Sequence, residues 1–317
     1  MKIIEILNKQ GGIKLLKQYW KGGAFFTAVS QLLILGKSKT ALEILRNSAS
    51  LKIKQKLERK YENKIIQIED KYEEQKRDKE RDSKRKVWVC WFQGIENAPE
   101  IVKKCYESLK ENIIDREIIL ITGKNYKNYV TFPKEIQEKI NKGIIKGAHL
   151  SDLLRLELLV NYGGTWIDAT VFCSGRNIPK YMLDSDLFLF QCLKPGKDGQ
   201  SSIISNWFIT SKSNHKLIFT VRELLYDYWK NNNEVCDYFI FHDFFQILID
   251  RYPEEWEKVI PFSNSTEHIL LLRLFEEYNE EVWNAIKSQT PFHKLTYKFS
   301  EEDRKKVNTY YSKILSI

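Results

Sequence analysis

Residues 149–170 read HLSDLLRLELLVNYGGTWIDAT, and the fold turns on how this stretch is parsed. Leu153, Leu156 and Val160 recur at helical spacing, and Ser151 is the residue type expected to cap such a helix, its hydroxyl accepting from an unpaired backbone N–H. Asp152 and Arg155, three apart, project from one face of the first turn. Gly163 and Gly164 then end the helix, because glycine enters the left-handed conformation of a helix terminus without a Cβ penalty. Residues 165–172 follow as a β-branched and aromatic strand interrupted by one charge, Asp168. A carboxylate between TWI and ATVF is costly to bury unless a cation or hydrogen-bond donors meet it. Singly, these residues have ordinary roles: Asp152 and Arg155 would be a surface ion pair worth about 0.3–0.5 kcal/mol, and Asp168 would start a turn. Gathered around a Gly-Gly break, they deliver an acid, a base and a second acid to one edge of a sheet, which marks a site.

On either side of this segment the texture is α/β. VWVCWF (87–92) is an apolar run of the kind that forms a strand covered on both faces. Pro99 opens the helical pattern PEIVKKCYESLKEN, proline standing early, where its missing N–H costs nothing. EIILIT (117–122) reads as a second buried strand and PKEIQEKI (133–140) as a helix. Downstream, DLFLF (186–190) and IISNWFIT (203–210) are strands. LIFTVRELLYDYWK (217–230), YFIFHDFFQILID (238–250) and TEHILLLRLFEEYNEEVWNAIK (266–287) are helical patterns. Strands alternating with helices predict an α/β fold with a single Rossmann-like, mostly parallel sheet, whose ligands bind at the carboxyl ends of the strands. Neither standard glycine-rich phosphate loop occurs, so a nucleotide would be held by other means.

Charge divides the chain. Residues 1–86 carry 22 Lys/Arg against 11 Asp/Glu, while the remaining 231 carry 29 against 31, so the net charge of +9 is entirely N-terminal. A positive arm on a nearly neutral body suits a polyanionic surface. The expected organisation is a basic helical membrane-association or connector region over 1–86 and a catalytic α/β domain over 87–317. Within 1–50, IIEIL, IKLLKQYW, AFFTAVSQLLIL and ALEIL read as short amphipathic helices. The uncharged run from 22 to 36 is too short and too polar to span a bilayer, and no signal-peptide cleavage site follows it. Lys14, Lys17, Lys21, Lys37 and Lys39 beside Trp20, Phe25 and Phe26 fit a helix lying among lipid headgroups, and equally a helical subdomain packed on the body. Leu57, Tyr61, Ile65, Ile68 and Tyr72 form a thin stripe on a charged helix that reads as a solvated connector. Its alternating charges, with no aromatic or glycine platform, disfavour nucleic acid. So thin a stripe gives a coiled-coil dimer little support. The five cysteines form no CxxC pair, which argues against zinc and for reduced thiols in an intracellular chain. Cys90, Cys105, Cys173 and Cys192 read as small core residues. An apolar content of 43% supports a sizeable core.

The chemistry these residues permit centres on a diphosphate. Asp168 at a strand end suits a hard divalent cation that shares its oxygens with phosphate. In TPFHKLTYKF (290–299), His293 is a candidate ligand, since manganese accepts imidazole, and Lys294 a phosphate partner. Trp91 and Phe92, ending the first strand, are placed to stack on a base, with Gln93 on its edge. Asn206 is a candidate for lining the pocket. His242 and Asp243 read either as a core pair or as acceptor-binding residues, and His149 as structural.

The blocks VWVCWFQGIENAPEIVKKCYESLK, SDLLRLELLVNYGGTWIDAT, NWFITS, YFIFHDFF and FHKLTYK, in that order over about 87–300, resemble the capsular polysaccharide synthesis glycosyltransferases. These are relatives of mannosyl- and galactosyltransferases with the motif DxxR…GGxYxDxD. The resemblance implies a GT-A fold, a nucleotide-sugar donor, Mn²⁺ or Mg²⁺, and transfer with retention of anomeric configuration. It implies that Asp152 and Arg155 hold the donor sugar's hydroxyls and that Asp168 meets ribose and metal. Thr170 stands where the motif has its second aspartate, as is usual in the capsular branch, and leaves the metal with fewer protein ligands. The expected enzyme moves a hexose, galactose or glucose before others, from a UDP-sugar to a lipid-linked oligosaccharide, peripherally at the inner face of the cell membrane. The rivals are a sugar nucleotidyltransferase, which would want a basic glycine loop after the first strand where WFQGIENAP stands, and an inactive nucleotide-sugar-binding module.

Overall fold

The computed structural model describes residues 12–76, 85–193 and 202–317, so IIEIL (3–7) and residues 77–84 of the charged run lie outside the described residues. Three helices come first: α1 (Gly12–Gly22), α2 (Phe25–Leu35) and α3 (Lys39–Lys76). The body then runs β1 (Lys86–Cys90), α4 (Glu100–Asn112), β2 (Glu117–Ile121), α5 (Lys134–Asn141), α6 (Ala148–Tyr162), β3 (Gly164–Ile167) and β4 (Val171–Cys173). It continues through α7 (Lys180–Asp184), β5 (Leu187–Gln191), β6 (Ile204–Ser211), α8 (Lys216–Asn231) and α9 (Ile240–Arg251). Short helices α10 (Pro253–Trp256), α11 (Asn264–Glu267) and α12 (Ile269–Leu272) precede α13 (Glu280–Gln289), β7 (Phe292–Lys294), α14 (Glu301–Arg304) and α15 (Tyr310–Ser316).

The α/β architecture expected from the sequence is the one observed. The central sheet has the order β2-β1-β3-β6-β5. β1 is parallel to β2 and β3, whereas β6 is antiparallel to both β3 and β5, so four strands share one direction and β6 reverses it. Alternation on β1 supplies both faces of the sheet with core. Trp88 joins one cluster with α3, α6, α8 and α9, while Val87 and Val89 join another with α4, β4, α13 and β7.

Four local expectations are corrected. Ser151 does not cap α6, which starts at Ala148 after Gly147 (φ +57°), so Asp152 stands in the second turn. The strand expected over 165–172 breaks at Asp168, where Val171 N–H donates to the Asp168 carbonyl at 3.0 Å, and its second half leaves the sheet to pair with β7 as a separate ribbon. The long helical pattern over 266–287 resolves into α11, α12 and α13. The stripe on α3 is not solvated: Leu57, Tyr61, Ile65, Ile68 and Tyr72 are all buried, packed toward α8 and α9.

Basic residues of that helix pair with carboxylates of the body. Lys54 bonds Asp250, Lys64 lies 3.1 Å from Asp227, and Lys71 lies 2.5 Å from Glu223. Part of the N-terminal charge is thus matched within the molecule. All five cysteines are free; of the four expected in the core, Cys105 and Cys173 are buried, Cys90 is half-buried and Cys192, just past β5, is exposed, while Cys236 is buried as well.

Candidate active site

The carboxyl ends of β1 and β3 lie at the same sheet edge, because the two strands are parallel. β6 runs the other way, so its beginning reaches that edge too, and Asp168 N–H donates to the Trp207 carbonyl at 2.8 Å. Asp168 follows β3, Asn206 sits on β6, and Asp152 and Arg155 come down from α6, whose C-terminus is tied to β3 through Gly163. The β4–β7 ribbon pairs Val171 with Lys294, which brings the C-terminal part of the chain into the site.

These side chains form one chain of charge. Arg155 Nη2 is 3.6 Å from Asp152 Oδ1 and 3.6 Å from Asp168 Oδ1, so the guanidinium bridges the two acids. Its Nη1 donates to the Asn206 carbonyl, and its plane lies over the Trp166 ring, 5.0 Å from the centroid. Asn206 Nδ2 donates to Asp152 Oδ1 at 3.0 Å, so one residue orients both members of the pair. Trp166 Nε1 donates to Asp168 Oδ1 at 3.0 Å. Lys294 Nζ donates to Asp168 Oδ2 at 2.9 Å and to Thr170 Oγ1 at 2.6 Å.

The two acids are driven apart electrostatically. Burial pushes the Asp152 carboxyl up to about 6, against the attraction of Arg155, and the Asp168 charge adds to the rise. Burial would raise Asp168 as well, yet Lys294 and Arg155, with hydrogen bonds from Lys294 and Trp166, hold it below the usual carboxylate range. The two neighbouring carboxyls therefore ionise at different pH, Asp168 first and Asp152 near 6, and both are charged at neutrality.

The structure brings Asp152, Arg155, Asp168, Asn206 and Lys294 together. It does not bring His293. Strand alternation turns His293 away from Lys294 into the core, where it is fully buried, with Nε2 2.9 Å from Ser174 Oγ and the ring against Phe172. Burial pushes its imidazole down to about 3. Trp91 lies edge-on to Tyr297 at 5.3 Å, Phe92 packs toward Tyr126 at 5.8 Å, and Gln93 is exposed.

Two neighbours escaped sequence reasoning, and a third, His242, was legible with Asp243 only as either a core pair or an acceptor-binding pair. Trp166 looked like strand core, and only its rotamer makes it a donor to Asp168. His149 Nδ1 lies 3.9 Å from Asp152 Oδ2, a helical i,i+3 spacing that was there to be read. His242 is half-buried and feels the Arg155 charge, and among the described residues neither its buried Nδ1 nor Asp243 Oδ2 has a hydrogen-bond partner.

Among the described residues no group of three or more His, Cys, Asp or Glu gathers as a metal cage. What Asp168 and Thr170 offer is a carboxylate and a hydroxyl oxygen converging on one cation, a position filled here by the Lys294 ammonium. That pair fits a divalent ion completed by substrate phosphate and water, the usual state of Mg²⁺, and does not fit an ion held by protein alone.

The family model described as capsular polysaccharide synthesis protein matches residues 36–314. The O-glycosyltransferase PaGT of Phomopsis amygdali is 24% identical over 176 residues, which is 50% of this chain and 42% of that protein. The O-glycosyltransferase braB of Annulohypoxylon truncatum is 32% identical over 101 residues, 28% of this chain and 24% of that protein. The chain therefore spans less than half the length of these relatives. Among solved structures, the PaToxG glycosyltransferase is similar at 17% identity and a TM-score of 0.36, over 73% of this chain and 86% of that one. With the family model covering nearly the whole chain, the protein belongs to the capsular polysaccharide synthesis family.

Proposed function

We propose that the chain is a retaining glycosyltransferase that moves a hexose from a UDP-sugar to a lipid-linked oligosaccharide at a membrane surface. The observation that carries the reading is the bridge Asp152–Arg155–Asp168–Lys294 at the carboxyl ends of parallel strands. Asp152 and Arg155, fixed by Asn206, present a carboxylate and a rigid fork of donors to sugar hydroxyls. Lys294 and Arg155 supply positive charge where a nucleoside diphosphate would develop negative charge on leaving. Mn²⁺ or Mg²⁺, held by Asp168 and Thr170 together with the diphosphate, would act as a Lewis acid on the same oxygens. The bond from the anomeric carbon to the diphosphate breaks and a bond to the acceptor oxygen forms on the same face. The acceptor's proton passes to a phosphate oxygen of the leaving group. Trp91 and Tyr297 form the aromatic pair nearest the end of β1 and are the surface offered to the base.

Membrane association rests on α1 and α2. Among the described residues no helix is long and apolar enough to cross a membrane. Trp20 of α1 and Phe26, Leu33 and Ile34 of α2 are nevertheless strongly exposed.

The test is hydrolysis and transfer with UDP-galactose, UDP-glucose, UDP-N-acetylglucosamine and GDP-mannose in Mn²⁺. One donor is expected to be hydrolysed slowly without acceptor, and Asp168→Ala should abolish this while leaving the circular dichroism spectrum unchanged. A folded protein that binds and hydrolyses none of the four, or an Asp168→Ala variant with wild-type rates, would overturn the assignment.

A further inference from the structure

Next to Asp152 a cleft of about 450 Å³ opens between α1 and the body. Its α1 wall carries Lys14, Lys17 and Lys21, whose spacing of three and four puts them on one helix face, and Lys146, just before α6, stands on the rim. Among the lining residues these four lysines face one carboxylate, Glu234, which pairs with Lys21. The opposite wall is aromatic: the His149 ring lies 5.8 Å from Trp229 and 5.6 Å from Tyr238. His149 also joins the cleft to the site, being 3.9 Å from the Asp152 carboxylate. A lysine-lined face opposite an aromatic wall fits a ligand with an anionic end and a flat, hydroxylated body. Lysine is a compact point charge suited to phosphate, and aromatic faces pack against sugar rings.

We infer that this cleft is the acceptor subsite and that it takes a phosphorylated glycan, the sugar on the His149–Tyr238 wall, backed by the buried Trp229, toward Asp152 and the phosphate or diphosphate among the lysines of α1. The word acceptor rests on the glycosyltransferase reading; the sugar-phosphate chemistry of the cleft stands without it. The phosphate belongs either to a lipid carrier or to a free sugar phosphate. The cleft's position favours the carrier, because α1 also carries exposed Ile13 and Trp20 and leads directly into the exposed apolar face of α2.

The test is calorimetric titration of the full chain, with UDP saturating the donor site, by glucose 1-phosphate and by neutral methyl glucoside. The sugar phosphate is expected to bind at least tenfold more tightly. The double substitution Lys14→Gln/Lys17→Gln should remove that advantage while leaving UDP affinity and methyl glucoside binding unchanged. Tyr238→Ala should weaken both sugars. Equal binding of sugar phosphate by the double variant and the wild type, with matching circular dichroism, would overturn the inference. If the double variant loses helix content, Lys146→Gln, which lies off α1, is read against the same two outcomes. A glucose linked to an alkyl diphosphate in phosphatidylcholine vesicles separates the sources: tighter binding than the soluble sugar phosphate identifies the lipid carrier, equal binding the free phosphate, and either supports the site. Loss of UDP binding in the wild type with the cleft titrating as expected would fail the glycosyltransferase reading alone. UDP binding with no preference for the sugar phosphate would fail the cleft alone.

Discussion

At the residue scale the centre of the site is Arg155, a buried cation shared by two acids. A buried ion is tolerated only where its partners and hydrogen bonds replace water; the Arg155 Nη atoms meet Asp152, Asp168 and the Asn206 carbonyl, while its buried Nε has no hydrogen-bond partner among the described residues. Removing it outright would leave Asp152 buried and uncompensated. Arg155→Lys is the cleaner probe, since it keeps the charge and loses the planar fork. With Asp152→Asn, it is expected to lower transfer by about 100-fold, the scale of a lost positioning contact, while UDP affinity changes little. The pH profile carries the sign. With its carboxyl pushed up to about 6, Asp152 is protonated below that pH and ionised above it. If sugar hydroxyls bind the carboxylate, kcat/KM rises through a single ionisation near pH 6 and stays level toward neutrality. Asp168, held low, contributes nothing to that limb. Asp152→Asn should flatten it. A limb retained in the variant, or an equal fall in UDP affinity, would assign Asp152 to the fold or the nucleotide instead.

At the scale of elements, the joint between α6 and β3 decides whether these residues meet. Gly163 has φ +67°, and a Cβ there would stand 2.7 Å from Ser213 N and 3.0 Å from Ser211 O. Its carbonyl also accepts from Trp88 Nε1 at 2.9 Å, fixing the helix end to β1. Neither the left-handed backbone nor the close approach accepts a side chain. Gly163→Ala should therefore cost about 1–3 kcal/mol and lower the melting temperature by several degrees. Gly175, where nothing lies within 4 Å of a built Cβ, is the control, and Gly175→Ala is expected to be neutral. Equal melting temperatures for the two variants would show that the joint tolerates a side chain. The long helix α3 teaches a related lesson. Its buried residues Ala41, Leu45, Ala49, Ile53, Leu57, Tyr61 and Ile65 recur every four residues, and each step overshoots a full turn by about 40°. The stripe winds round the helix, so any short window of it looks thin and solvated.

At the scale of the whole molecule, the N-terminal helices are joined to the body as well as exposed. Tyr19, Ala24, Ala28, Leu45 and Ile53 belong to the larger core cluster, so deleting 1–50 would open that core. Point substitutions on the outer face test the membrane reading without this damage. Phe26 is 75% exposed, Leu33 79% and Ile34 76%, and burial of each side chain in lipid is worth about 1.5–3 kcal/mol. The wild type is expected to co-sediment with anionic vesicles, less so in high salt but not to zero, because the apolar part is unscreened. Phe26→Glu/Leu33→Glu/Ile34→Glu should reduce binding at least tenfold with the melting temperature unchanged. Undiminished sedimentation would remove α2 from the membrane.

How much of this was legible follows from the range of each interaction. The sequence by itself determined the α/β class, the helix ending at Gly163, the lone charge in an apolar run and the pairing of Asp152 with Arg155. Each of these is set by residues a few positions apart, through helical period, glycine's freedom at positive φ and the cost of an isolated carboxylate. Tertiary structure alone decided that Asn206 would hold Asp152 and Arg155 together, since a strand 51 residues downstream of Arg155 had to reverse beside β3 to bring it there. It alone decided between neighbours on β7: the register with β4 delivers Lys294 to Asp168 and turns His293 into the core. A one-residue slip would exchange them, because side chains alternate faces along a strand, and no local pattern encodes the register of strands separated by more than a hundred residues.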